Sequence, residues 1–556
     1  LRFSRGSVPS QLADARLLTV HSLSVRARVV GRPEAPFDRV YDPLVADLVG
    51  GGPVAHERFA RLWSDTRALA GLAKAKRAPL PAALAAELEA YHRRLGASSE
   101  SLANLARLAR GEAVAAVAGQ QPAPLGGPLY ALHKTASAIG LAAVVAERAE
   151  TPCVPLYWMH GEDSDFAEIR HASLVDASLS VHDLTLPDGA HADGQLVGDI
   201  ALGSLQALNA EALAHWAGLA GEADAQALLA RSMAAARDLG EATSALLLAL
   251  FPSQGLVVVD PRLPAFRAAA REVIERYLAS ADTLQGAAHT AGARLAQIAG
   301  RQPLTDASLD SFVFAIEGGG RHKLSAADAR ARGAGVTLSP SVALRPAVQD
   351  GIFPTVAMAC GPGEIAYLAQ LREVFAGVGV EPALAVPRFG ATWLVPEAIE
   401  LAEAAGAEPW SLVTGADAVL AGLAQRRIPA GLEGELTRAR SAALEGLARF
   451  GEASRALDPS LPQIVESARG KVDYQFARLH EGLAGKVRTK LDREHPAWRR
   501  LRYVLLPGDK LQERRTASLE PVARFGAGVL PGLCELAAEH GRRSAAGVLE
   551  HLVLEA

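Results

Sequence analysis

At 556 residues the chain is too long for one compact core, so two to four structural units are expected. Its 49% hydrophobic and 21% charged residues are the balance of an ordinary globular protein. Lys+Arg 57 against Asp+Glu 61 gives net −4, which argues against a global basic field for nucleic acid. The three scattered cysteines, Cys153, Cys360 and Cys534, form neither a disulfide framework nor a CxxC metal knuckle.

Residues 1–110 read mostly as helix after an irregular start with Pro33, Pro36 and Pro43; the patterns cover 56–76, 82–95 and 98–110. There is no charged-then-apolar leader and no uninterrupted apolar run of bilayer length, so a cytoplasmic protein without a membrane segment is expected.

The chain is organised around 114–134, VAAVAGQQPAPLGGPLYALHK. A short apolar run ends at Gly119, a turn follows through Gly126, Gly127 and Pro128, and Leu129, Leu132, Ala136, Ile139 and Ala143 then recur at helical spacing. Strand, glycine turn and helix in that order aim free N–H groups at the turn, where a phosphate or carboxylate commonly sits. His133 and Lys134 add donors one turn in. An ordinary βα connection explains the same residues, because neither GxGxxG nor GxxxxGK[ST] is present.

Apolar runs at 154–159, 256–260, 312–316, 355–360 and 383–386 alternate with helical segments at 263–278, 364–378 and 396–405. That alternation predicts a parallel sheet covered on both faces, with ligands beyond the carboxyl ends of its strands. Two stretches interrupt it and read as insertions: 176–250, with a hairpin around 188–194, and 281–345, with a turn at 317–321. Residues 430–457 and 462–491 form an antiparallel helical hairpin, and the run 503–506 brings the chain back to the sheet. The domain expectation is 1–175 and 251–400 for the core, 401–505 for the hairpin and 506–556 for the return.

Polar groups follow several of the strands. His160-Gly161 leads at once into Glu162, Asp163 and Asp165, whose mutual repulsion calls for an amine, Mg²⁺ or another donor, unless they serve a helix dipole. Arg345, Gln349 and Asp350 form an i, i+4, i+5 set, with Pro346 setting the helix start; Arg345 suits a carboxylate or phosphate, or pairs with Asp350. Gly361-Pro362-Gly363-Glu364 is a second strand–glycine–helix junction, Arg388 follows the last run, and Lys510 lies in a turn suited to anions. No GxSxG or HExxH motif is present, and no set of metal ligands is evident.

Taken together, GQQ…GGPLYALHK (119–134), WMHGEDSDFAEIRH (158–171), LSPSVALRPAVQD (338–350), GPGEIAYLAQL (361–371), PR (387–388) and LPGDKLQER (506–514) resemble the bacillithiol-biosynthesis cysteine-adding enzymes. The resemblance implies an α/β fold with a Rossmann-like parallel-sheet core like that of class I aminoacyl-tRNA synthetases, connecting insertions and a helical coiled-coil hairpin. It implies a ligase forming an amide between cysteine's carboxyl and the amine of glucosaminyl-malate, activated through a cysteinyl-adenylate made from ATP.

In that reading His133, Lys134, Glu162, Asp163 and Asp165 are catalytic. Gly119, Gln120, Gln121, Arg345, Gln349, Asp350, Gly363, Glu364 and Arg388 bind substrate. Gly126, Gly127 and Lys510 hold the nucleotide, ATP or ADP, with Mg²⁺ as a possible companion. The partners are small molecules and a second copy of the chain as a homodimer. One departure stands out: the family has EDHDF or EDHDW where this chain has Glu162-Asp163-Ser164-Asp165-Phe166, so Ser164 replaces a histidine and His160 stands nearby to substitute. Two alternatives remain: a nucleotidyltransferase with another amino-acid or sugar substrate, and a non-catalytic nucleotide-binding scaffold that dimerises through the hairpin.

Overall fold

The strand Val114–Gln120 is buried along its whole length, and alternate residues feed opposite cores. Ala115 and Val117 face one apolar cluster, and Val114, Ala116 and Ala118 the other. A strand buried on both faces reads in sequence as a continuous apolar run, and such strands occupy the middle of parallel sheets. Here the sheet has five parallel strands in the spatial order Leu384–Pro387, Thr355–Cys360, Val114–Gln120, Cys153–Met159, Val257–Val259. The expected runs 114–118, 154–159, 256–260, 355–360 and 383–386 are therefore neighbours, whereas 312–316 belongs to a separate antiparallel sheet. Chain order reverses between Val114–Gln120 and Thr355–Cys360, which makes the crevice beyond their carboxyl ends the topological switch point.

The computed structural model describes residues 19–20 and 23–556, so the first part of the irregular start lies outside the described residues. Two units are distinct: one reaching to Trp393 and completed by Pro507–Ala556, the other Leu394–Leu506. In the first, the helix Leu129–Ala149 covers one face of the sheet, with Thr66–Lys76 and Val529–Ala545 packed against it. It is long and apolar enough to cross a membrane, yet here it is a core helix, buried among the sheet and its neighbours. The opposite face is covered by Ala82–Arg94, Ser99–Ala109 and Pro264–Ala279.

A second sheet was not anticipated. Leu23–Val30 pairs antiparallel with Glu550–Glu555, which runs parallel to Ala391–Trp393. The C-terminal return therefore joins this sheet rather than the five-stranded one. Residues 503–506 do not form a strand: Leu501–Leu505 is a short helix of the second unit. The hairpin expected around 188–194 lies earlier in the chain, with its turn at 176–180 between His171–Val175 and Val181–Thr185. There the Asp176 carboxylate accepts from the N–H groups of Ser178 and Ser180 and closes the turn. The expected turn at 317–321 is present, joining Val313–Glu317 to Gly320–Leu324 in a three-stranded sheet with Thr337–Pro340.

In the second unit Ala430–Ser454 and Leu461–Glu494 form the expected antiparallel hairpin: Gly451 packs on Val465, Arg440 pairs with Asp473, and Glu433 lies 3.5 Å from His480.

Candidate active site at the switch point

At the end of the central strand the backbone approaches its neighbour closely. A Cβ on Gly119 would lie 2.6 Å from the Trp158 carbonyl oxygen and 2.8 Å from His160 Nε2, so only glycine fits beside His160. Lys134, one turn into the following helix, points back over this position. Its Nζ donates to Gly119 O (2.9 Å) and Gln120 Oε1 (3.2 Å) and pairs with Glu364 Oε2 at 2.6 Å. All three ammonium protons have acceptors, so Lys134 contributes buried positive charge rather than a free donor. The same Glu364 oxygen accepts from Gly361 N–H (2.7 Å), so the pair bridges the two strands that define the switch point.

His160 directly follows the next strand, and its side chain has no hydrogen bond among the described residues. Burial, and then the charges of Arg345, Lys134 and Arg321, hold its pKa well below the usual histidine value, so it is a neutral imidazole at pH 7. Arg345 begins the helix Arg345–Ile352 and has no carboxylate within ion-pairing distance among the described residues, which leaves one uncompensated cation at this centre. Arg321, delivered by the three-stranded insertion, stacks over Phe314 at 3.9 Å and lies 3.7 Å from Asp163 Oδ1.

The acidic cluster divides its tasks. Glu162 is buried and pairs with Arg267 at 2.8 Å; burial pushes its pKa up while the arginine opposes the shift. Asp163 Oδ2 accepts from Gln121 Nε2 (3.2 Å), which also donates to Glu168 Oε2 (2.7 Å). Asp165 is exposed and caps the short helix Phe166–Ile169 by accepting from Glu168 N–H. Its placement is that of the helix-terminus alternative. Among the described residues no group of three or more His, Cys, Asp or Glu side chains is arranged to hold a metal.

Several other expected members lie elsewhere. Consecutive helical residues point about 100° apart, so His133 cannot share the direction of Lys134. Its imidazole is fully buried, with Nδ1 3.1 Å from Glu513 Oε2 and Nε2 accepting from Trp393 Nε1 at 3.3 Å. Both nitrogens are committed, and burial lowers its pKa, so His133 positions Glu513 rather than meeting a substrate. Glu513 in turn takes the fork of Arg388 at 2.5 and 2.9 Å. Burial would raise the Glu513 pKa, but Arg388 and His133 hold it well below the carboxylate range.

Gly126 and Gly127 do not form an open cradle. Both have positive φ, and Gly126 packs against Ser518 and Leu246. Leu129 N–H donates to Thr516 O (2.6 Å), Ser518 N–H to Gly127 O (2.7 Å) and Leu132 N–H to Ser518 Oγ (3.3 Å). The segment Thr516–Ser518 thus packs on the turn and engages the N–H groups of Leu129 and Leu132, so those two are not free to meet a phosphate.

Gln349 and Asp350 are at the opposite end of the sheet. Asp350 lies five residues down the helix from Arg345, about 7.5 Å at the helical rise. It accepts from Thr355 Oγ1 (2.5 Å), Gln349 Nε2 (3.0 Å) and Ala383 N–H (2.7 Å), tying the amino ends of two strands together. Gly363 is exposed in the first turn of Pro362–Gln370, and Lys510 is exposed beside Arg388 and Arg514.

Of the expected set, Gly119, Gln120, Gln121, Lys134, Asp163, Glu364 and Arg345 lie around the switch-point crevice. His160 was legible as the first residue after a buried strand; Glu168, Arg321 and Glu513 carried no signal beyond lying in or beside the motifs.

The family model described as "Bacillithiol biosynthesis BshC, N-terminal Rossmann-like domain" matches residues 38–389. Three relatives carry the name "Putative cysteine ligase BshC". That of Koribacter versatilis is 29% identical over 476 residues, covering 82% of this chain and 87% of that one. That of Solibacter usitatus is 30% identical over 437 residues, covering 76% and 82%. That of Geobacillus thermodenitrificans is 30% identical over 477 residues, covering 80% and 86%. The match runs across all five strands of the parallel sheet and the crevice at its switch point, and the chain belongs to the BshC family of bacillithiol biosynthesis.

Proposed function

We propose that this chain is a cysteine ligase that joins L-cysteine to the amine of glucosaminyl-malate, the last step of bacillithiol biosynthesis, with ATP-dependent activation of the cysteine carboxyl. The observation that carries the reading is the family match over 38–389, which contains the switch-point crevice. The likeness to class I aminoacyl-tRNA synthetases that the family resemblance implies supports ATP only as a fold-level analogy. ATP, when bound, supplies the leaving group that a bare carboxylate lacks.

The chain's own residues then have definite tasks. Lys134 and Arg345 stabilise negative charge developing at the reacting carboxyl, in a site where both charges are already oriented. His160, neutral at pH 7, takes the proton that the amine loses as the C–N bond forms. Asp163 and Glu168, held together by the Gln121 amide, form an acceptor edge suited to cysteine's ammonium. In the second unit, Phe450, Leu457, Ile464 and Leu479 are exposed along the helical hairpin, which supports a homodimer formed through it. A monomer by light scattering at micromolar concentration would count against that assembly.

The test is thiol mass spectrometry on a strain lacking the protein. Accumulated glucosaminyl-malate without bacillithiol is expected. An unchanged thiol pool overturns the reading in favour of a scaffold.

A further inference from the structure

Beside the switch-point crevice, the residues just past two strands line an open cavity of about 220 Å³. Pro362 follows Thr355–Cys360 and Arg388 follows Leu384–Pro387, so the cavity lies beyond the carboxyl ends of the sheet, where doubly wound folds take ligands. Its inner wall holds Arg388, Glu513 and Arg514; Arg39, Lys510, Asp38 and Asp509 line it nearer the solvent.

The inner charges are unevenly matched. Both oxygens of Glu513 are taken by Arg388 and His133. Arg514 is half-buried with its guanidinium 6.0 Å from the Tyr130 ring centroid, and Arg388 lies 5.7 Å from the same centroid. No carboxylate lies within ion-pairing distance of Arg514, Arg39 or Lys510 among the described residues. Burial, followed by the neighbouring Arg39 and Arg388, lowers the Arg514 pKa, as expected of a guanidinium partly out of water among like charges. An arrangement of this kind costs stability until an anion enters it, and a guanidinium's planar fork matches carboxylate and phosphate oxygens.

We infer that the cavity around Arg514, Arg388 and Arg39 is an anion subsite that receives a carboxylate or phosphate group of a substrate bound at the adjoining crevice. Tyr130 joins the two regions: its hydroxyl accepts from Gln120 Nε2 at 3.2 Å, while its ring faces the two arginines. The inference rests on the ligase reading for the identity of the substrate, but not for the existence of the subsite. A carboxylate would come from the malate moiety, a phosphate from the nucleotide. At the glycine turn the N–H groups of Leu129 and Leu132 are already engaged by Thr516 and Ser518.

The experiment is calorimetric titration of the full chain with L-malate and, separately, with pyrophosphate, using wild type, Arg514→Gln and Arg39→Gln. One of the anions should bind, and Arg514→Gln should weaken it by about tenfold or more. Arg39→Gln, on the exposed rim, should weaken it less without disturbing the fold. Malate binding assigns the subsite to the amine substrate and pyrophosphate binding to the nucleotide. Neither anion binding up to about 10 mM, or both variants binding as wild type does with unchanged melting curves, overturns the inference. Because binding is read without turnover, the two readings fail separately. Anion binding without amide formation defeats the ligase alone. Amide formation with no anion bound, or with unaltered binding in Arg514→Gln, defeats the subsite alone.

Discussion

Replacing Lys134 by Met removes the charge bridging the two strands at the switch point while keeping most of the side chain's length. Three interactions vanish together: those with Gly119 O at 2.9 Å, Gln120 Oε1 at 3.2 Å and Glu364 Oε2 at 2.6 Å. Glu364 keeps only the Gly361 N–H and is left as a largely buried carboxylate without its cation. Breaking a buried pair from one side costs about 3–5 kcal/mol, most of it the stranded charge rather than the worth of the pair. Removing the carboxylate as well, in Lys134→Met/Glu364→Gln, should recover about 2 kcal/mol or more. The assay is urea unfolding of wild type, both single variants and the double variant, with product formation measured on each. Stability should return in the double variant while activity stays at least about a hundredfold down, because the oriented positive charge is gone. A Lys134→Met cost below about 1 kcal/mol with no coupling to Glu364 would refute the structural half of this reasoning. Recovered activity in the double variant would refute the chemical half.

Three further outcomes are expected. Asp163→Asn keeps the shape of the acceptor edge and removes its charge, so product formation should fall by roughly tenfold or more, about 1.4 kcal/mol of barrier, with little change in melting temperature; a folded, fully active variant makes the cluster structural. Arg262 is largely buried among Asp199, Asp238 and Asp260, at 2.5, 2.9 and 2.7 Å, so Arg262→Ala strands the buried Asp260 and the partly buried Asp238 and should destabilise the first unit by about 3 kcal/mol in urea unfolding; a loss below about 1 kcal/mol would show that water replaces it. Burial pushes the pKa of His92 and of His551 down to about 4 from the ordinary 6.5. Their contribution is therefore complete above pH 6.5 and is lost as pH falls towards 4. Between pH 7 and 5 each should cost about 2 kcal/mol of unfolding free energy, and equal stability at the two pH values would contradict their burial in neutral form.

The parallel sheet was legible because strands buried on both faces leave unbroken apolar runs, and their spacing left room for crossover helices. The second sheet was not. Leu23–Val30 carries Arg26 and Arg28, whose partners Glu555, Glu539 and Glu550 lie more than 500 residues away in sequence. No local pattern announces such pairing. In the crevice, residue types and their places after strands were readable, which is why Gly119, Lys134, Asp163, Arg345 and Glu364 belong to it. What could not be read was commitment to other partners. His133 is held by Glu513 and Trp393, Asp350 by Thr355 and Ala383, and the turn at Gly126-Gly127 by Thr516–Ser518. Each holder except Thr355 lies more than 30 residues from the group it engages, so tertiary contact decided what the motif left open.

The purified chain incubated with L-cysteine, glucosaminyl-malate and ATP, followed by mass spectrometry, tests the central claim most directly. The account predicts a product with the mass of the two substrates joined less one water, formed only when all three components are present and abolished in His160→Asn. Folded wild-type protein that binds the substrates and yields no such product would contradict it.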